Sequence, residues 1–134
     1  MKKVLVVDDE DAVRSVICAL LKADDREFIE AVNGEEAQKF LDAHAFDLVI
    51  SDVIMPDCDG IELVMSIRRK QPDVPVIVIS GGGRVNAGQY LSMAEKLGAA
   101  RVFEKPFDTS EFRTTAARLL GETAVGQTTG QETA

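Results

Sequence analysis

Apolar residues along this chain fall into two alternating patterns. The first is a set of short unbroken runs: Val4-Leu5-Val6-Val7, Leu48-Val49-Ile50 and Val76-Ile77-Val78-Ile79. Each is continuously apolar and mostly β-branched, as strands are when a sheet is covered on both faces. Phe28-Ile29-Glu30-Ala31 is interrupted by a charge and reads as an edge strand; Val102-Phe103 makes a short fifth. Between the runs, apolar positions recur at helical spacing. Val13, Val16, Ile17, Leu20 and Leu21 form one stripe, and Asn33 stands as a cap ahead of Ala37, Phe40 and Leu41. A third helix begins near Gly60 with Leu63, Val64 and Ile67 on one face. A fourth carries Leu91, Ala94 and Leu97 and stops near Gly98; a fifth starts near Asp108 with Phe112, Ala116, Leu119 and Leu120. Alternation of strand and helix predicts an α/β domain on a parallel sheet. The stripes are core and need no ligand to explain them.

Residues 121–134 are polar, aperiodic and glycine-containing, which predicts a disordered tail after a domain spanning 1–120. A chain of 134 residues fits one domain, and the tail is too short for an output domain. The apolar share of 46% is ordinary for a globular protein. No apolar run approaches the length of a membrane span. Met1-Lys2-Lys3 leads straight into the first run, so neither a signal peptide nor membrane contact is expected, and the location expected is cytoplasmic. A formal charge of −8 disfavours direct nucleic-acid binding, because such binding needs cations against phosphate. Two cysteines make no disulfide framework. Cys18 falls on the apolar face of the first helix and is expected in the core. Cys58 falls in a polar loop, with a redox role as the alternative to a plain surface thiol.

The chemistry lies in where the acids fall. Asp8 and Asp9 follow the first strand and Asp52 follows the third. In an open parallel sheet, ligands bind beyond the carboxyl ends of the strands where strand order reverses. With five βα units in the order 2-1-3-4-5, strands one and three flank that point, so the three acids converge. Ser80 closes the fourth strand and Lys105 the fifth, reaching the same rim. Two unit charges about 4 Å apart repel by roughly 4 kcal/mol at an effective dielectric of about 20. Either a proton is shared or a cation sits among them. An all-oxygen set suits Mg²⁺, which keeps several waters and bridges to phosphate. Lys105 adds a compact positive charge and Ser80 a hydroxyl, so the set can hold a phosphoryl group with one carboxylate as nucleophile. The plainer reading is that Asp8, Asp9 or Glu10 merely caps the first helix.

These residues resemble the receiver domain of bacterial two-component response regulators. The resemblance is carried by Val7-Asp8-Asp9-Glu10, Asn33-Gly34-Glu35-Glu36-Ala37, Asp47-Leu48-Val49-Ile50-Ser51-Asp52, Met55-Pro56 with Asp59-Gly60, Ser80, and Lys105-Pro106-Phe107. It runs from Lys3 to about Leu120, and it implies a flavodoxin-like (βα)5 three-layer sandwich of the stand-alone type. Its implied function is phosphoryl acceptance on Asp52 from a histidine kinase or a histidine phosphotransfer protein in a phosphorelay. Metal binding is implied for Asp9 and Asp52 directly and for Asp8 through water, with the backbone carbonyl of Ile54 completing the protein ligands. Lys105 and Ser80 are implied to contact the phosphoryl oxygens. A downstream protein target would be met through the fourth helix, fifth strand and fifth helix, which here hold Tyr90, Lys96, Arg101, Arg113 and Arg118. The protein would act as a monomer or as a phosphorylation-dependent dimer, and not as an enzyme beyond its own phosphorylation and dephosphorylation.

The chain departs from the family pattern in three places. Val102 stands where the family carries an aromatic residue, and Phe103 beside it should point to the opposite face of its strand. Gly81-Gly82-Gly83 follows Ser80 and makes a longer loop, without the Gly-Lys-Ser/Thr of a P-loop. Ile54 and Gly82 offer no polar side chain to orient a hydrolytic water, so the phosphoryl group is expected to persist. Two other functions compete: an aspartate-nucleophile phosphohydrolase, disfavoured by Ile54 two residues after Asp52, and a non-signalling Mg²⁺-binding interaction module. His44, the sole histidine, is read as a helix-end residue, and Arg68-Arg69-Lys70 as a solvated cluster favourable to the helix dipole. Arg84 is read as a solvated loop charge, with a phosphoryl or partner contact as the alternative.

Overall fold

The computed structural model describes residues 1–52, 60–81, 96, 98–105 and 107–121. Its elements run β1 (Lys2–Val7), α1 (Asp11–Leu21), β2 (Arg26–Ala31), α2 (Gly34–Ala43), β3 (Leu48–Asp52), α3 (Gly60–Lys70), β4 (Val76–Gly81), β5 (Arg101–Lys105) and α4 (Thr109–Leu119). Here α4 is the fifth helical segment of the sequence. The fourth predicted helix lies outside the described residues except for Lys96, and so do Cys58, Arg84, Tyr90 and the predicted tail beyond Gly121.

All strands pair in parallel, in the order β2-β1-β3-β4-β5. Alternate side chains of the central strands therefore feed two separate cores. Leu5, Val7, Val49, Val76 and Val78 meet Ala37 and Leu41 of α2 and Leu63, Val64 and Ile67 of α3. On the other face, Val4, Val6, Leu48, Ile50, Ile77, Ile79 and Phe103 meet Ile17 and Leu21 of α1 and Phe112 and Ala116 of α4. The result is the three-layer sandwich the continuous apolar runs predict. β2 and β5 are the two edges, and β2 is the run that a charge interrupts.

Helix starts follow their caps. The Asn33 side chain accepts the Glu36 N–H at 2.8 Å, while the Glu36 carboxylate reaches back to the Val32 N–H at 3.0 Å. Asp108 accepts the Glu111 N–H at 2.9 Å at the head of α4. Gly98 has φ +104, a left-handed turn, and a Cβ there would stand 3.3 Å from Arg68 Cδ.

Four expectations change. Val16 is 54% exposed, although the stripe included it, because α1 presents Arg14, Ile17 and Leu21 to the interior. That rotation also leaves Cys18 half-buried at the core margin instead of inside it. Asp52 is the last residue of β3 and does not follow it, and β4 runs one residue past Ser80. The basic cluster of α3 is solvated only in part: Arg69 and Lys70 are exposed, but Arg68 donates to the Pro72 carbonyl at 2.8 Å and also to that of Val74. Lys70 pairs with Asp42 at 3.0 Å, and Arg69 donates to Ser66. His44 fits its helix-end reading. It is the C-cap of α2, its ring lies near those of Phe40 and Phe46, and its Nδ1 is 3.3 Å from Lys3 Nζ.

Candidate functional site

β1 and β3 deliver the acids to one level of the sheet. Val7 pairs with Ser51, so the next residues, Asp8 and Asp52, stand side by side. Strand alternation sends both toward the face lined by Val6 and Ile50, under α1 and α4. Asp8 is fully buried and Asp52 only 6% exposed, whereas Asp9 is exposed. One carboxylate oxygen from each of the three lies within 4.8 Å of the others. Among the described residues this is the one group of acids placed to hold a metal ion.

The spacing suits a small hard cation. Oxygens on opposite sides of an octahedral Mg²⁺ stand about 4.2 Å apart, twice a bond of roughly 2.1 Å. Small side-chain rotations, or a water in place of one direct bond, close the difference. The donor set, all carboxylate oxygen with one exposed member, matches the preference of Mg²⁺ for oxygen and retained water. The helix-cap reading weakens for Glu10, which occupies the N-cap of α1 yet makes no side-chain cap bond. Asp8 accepts the Glu10 N–H at 2.9 Å, which orders the loop between β1 and α1.

Ser80 is fully buried and comes from β4. Asp52 pairs with Ile79, which sets Ser80 one step beyond it. Gly81 pairs with Lys105, so the register brings the end of β5 to the same rim. Ile54, the carbonyl ligand implied by resemblance, lies outside the described residues, as do Gly82 and Gly83. Val102 and Phe103 do face opposite ways. Val102 packs beside the α2/α3 core, while the Phe103 ring sits on the other face, 5.4 Å from Phe112 and 5.8 Å from Phe107 between centroids. No aromatic residue of β5 therefore takes the side that Val102 holds.

Two arginines are tied to acids of the same chain. Arg101, placed by analogy on a partner surface, is held by α4: it pairs with Glu111 at 2.7 Å and donates to Thr115 at 3.2 Å, with its guanidinium 4.7 Å over the Phe103 ring. Arg14, which the sequence reading passed over, is 7% exposed beneath the acids. It donates to the Asp8 carbonyl at 2.7 Å and to Glu30 at 3.0 Å, and it also pairs with Asp11. Burial pulls its pKa down, but the hydrogen bonds and charges of Asp11 and Glu30 outweigh that and leave it raised. Its signal in the sequence was a cation at i, i+3, i+7 spacing with Ile17 and Leu21.

Comparison with known proteins gives a consistent picture. A family model described as "Response regulator receiver domain" matches residues 4–117. Response regulator protein FleR of Pseudomonas aeruginosa is 36% identical over 97% of this chain, which spans only 26% of FleR. Sporulation initiation phosphotransferase F of Bacillus subtilis is 28% identical, with 89% of this chain and 94% of that protein covered. Among solved structures, response regulator protein TrrA of Thermotoga maritima, in complex with Mg(2+)-BeF, is 32% identical with a TM-score of 0.76. The match covers 89% of this chain and 99% of TrrA.

Proposed function

The chain belongs to the response regulator receiver domain family of two-component systems, and from that premise we propose that Asp52 is its phosphoacceptor. The observation that carries the reading is the convergence of Asp8, Asp9 and Asp52, each with an oxygen within 4.8 Å of the others. The receiver unit is residues 1–120, and the donor is a phosphohistidine of a histidine kinase or histidine phosphotransfer protein. In the step, a carboxylate oxygen of Asp52 bonds to phosphorus as the phosphorus–nitrogen bond breaks. The imidazole leaves with the electron pair and recovers its proton from solvent.

Mg²⁺, when bound, offsets the charge shared by the carboxylates and the phosphoryl oxygens. Asp9 and Asp52 would supply carboxylate oxygen to it directly and Asp8 through a water, with the Ile54 carbonyl completing the protein ligands. Lys105 pairs with a phosphoryl oxygen and Ser80 donates its hydroxyl to another. Complexation of TrrA with Mg(2+)-BeF supports this assignment by similarity. The output is a change of protein contacts with a downstream target, as a monomer or a phosphorylation-dependent dimer. It is a signalling switch that turns over no substrate other than its own phosphoryl group. Neither nucleic acid nor a membrane is contacted directly, and the protein works in the cytoplasm. No described helix is long and apolar enough to cross a membrane.

The test is incubation with acetyl phosphate and Mg²⁺, followed by intact mass. One added phosphoryl group is expected on the parent and none on Asp52→Ala. Equal labelling of both proteins refutes the assignment.

A further inference from the structure

Arg14 sits where α1 should present an apolar side chain. A guanidinium this buried must have its donors satisfied, since an unpaired charge in the interior is strongly destabilising. Its three anchors belong to three different elements. They are the Asp8 carbonyl at the end of β1, Asp11 in the first turn of α1, and Glu30 on β2. Two carboxylates already answer its single charge, so little is left to act on the acidic cluster as a counter-ion. What Arg14 does reach is backbone. Asp8 donates its N–H to the Ala31 carbonyl at 3.1 Å, its carbonyl accepts from Arg14 at 2.7 Å, and its carboxylate accepts the Glu10 N–H at 2.9 Å. The Asp8–Asp9 peptide is therefore clamped by Arg14 from below. Losing that donor removes the hydrogen bond that holds the carbonyl of this fully buried residue in its present orientation. Turning it swings both metal-facing carboxylates.

We propose that Arg14 is a positioning residue for the metal site, fixing through the Asp8 carbonyl the backbone from which Asp8 and Asp9 project. The proposal rests on the reading of the acidic cluster as a Mg²⁺ site. It assigns Arg14 a geometric role, with charge alone insufficient. Arg14→Lys keeps the charge but loses the fork that binds three partners at once, whereas Glu30→Gln keeps an acceptor for Nε and removes a charge.

The experiment is titration of the folded full chain with MgCl₂, followed by backbone amide shifts, at a temperature well below each variant's Tm. Arg14→Lys and Arg14→Met are each expected to weaken Mg²⁺ binding by roughly tenfold, the scale seen when a group orienting a metal ligand is removed. Glu30→Gln is expected to stay within about twofold of the parent, because one hydrogen bond of the clamp is weakened and none is lost. If Arg14→Lys binds Mg²⁺ like the parent while its Tm falls, Arg14 is structural only and the proposal is overturned. That result leaves the Mg²⁺ reading intact. A parent that shows no Mg²⁺ response overturns the reading and this proposal together. Should Arg14→Met not fold, Arg14→Lys alone decides between the outcomes.

Discussion

Asp8 and Asp52 are buried carboxylates with Asp9 beside them, and without a cation each disfavours the others. Neutralising one should therefore stabilise the metal-free protein. Asp52→Asn is expected to raise unfolding free energy by about 1–2 kcal/mol in chelator, measured by urea denaturation, while abolishing phosphorylation. An unchanged midpoint would count against close repulsion. Cys18 offers a second test at this scale. Burial, reinforced by the Glu30 charge, pushes its thiol up from 9.0 to about 11. The unfolded chain thus loses that proton first. Its contribution to stability is complete below pH 9.0 and is lost as pH rises from there through about 11. In a Cys58→Ser background, alkylation by iodoacetamide should be slow at neutral pH and climb only toward the folded-state value. Fast alkylation at pH 7.5 would contradict the burial described for α1.

Helices and strands set what the sequence could disclose. The strands were legible because covered parallel strands must be apolar on both faces, and only a few residue types satisfy that. Asn33 and Asp108 were legible as helix starts because a cap bonds within its own few residues. Replacing Asn33 by Ala should cost about 1 kcal/mol of stability in chemical denaturation, with Mg²⁺ binding unaffected. Phe112→Ala should cost about 3–5 kcal/mol, since that ring is fully buried between Phe103 and Phe107. The rotation of α1 was not legible. Helical spacing alone fits a stripe through Val16 as well as one through Arg14, and the partners that accept Arg14 in the interior include Glu30, sixteen residues away on another strand. The acids of the site could be read because topology alone carries strand ends to one rim. The clamp beneath them could not, because a long side chain finds its partners only after the sheet has formed.

At the scale of the molecule, ligand and fold are linked. A cation that binds only the folded chain adds RT ln(1 + [Mg²⁺]/Kd) to its stability. Millimolar MgCl₂ should raise Tm in the parent, chelator should lower it, and Asp9→Asn should blunt the shift in a thermal scan. An equal shift in both proteins would place the effect elsewhere. Crossovers of a parallel sheet also leave two outer strands unpaired along one side. β2 is one of them, and its sequence Arg-Glu-Phe-Ile-Glu-Ala carries three charges, with Glu27 and Glu30 exposed. A second copy laid alongside in register would set like against like at each charged position, and strand-by-strand growth would stall. The polar residues that make β2 look like a poor strand thus guard the molecule against joining into fibrils.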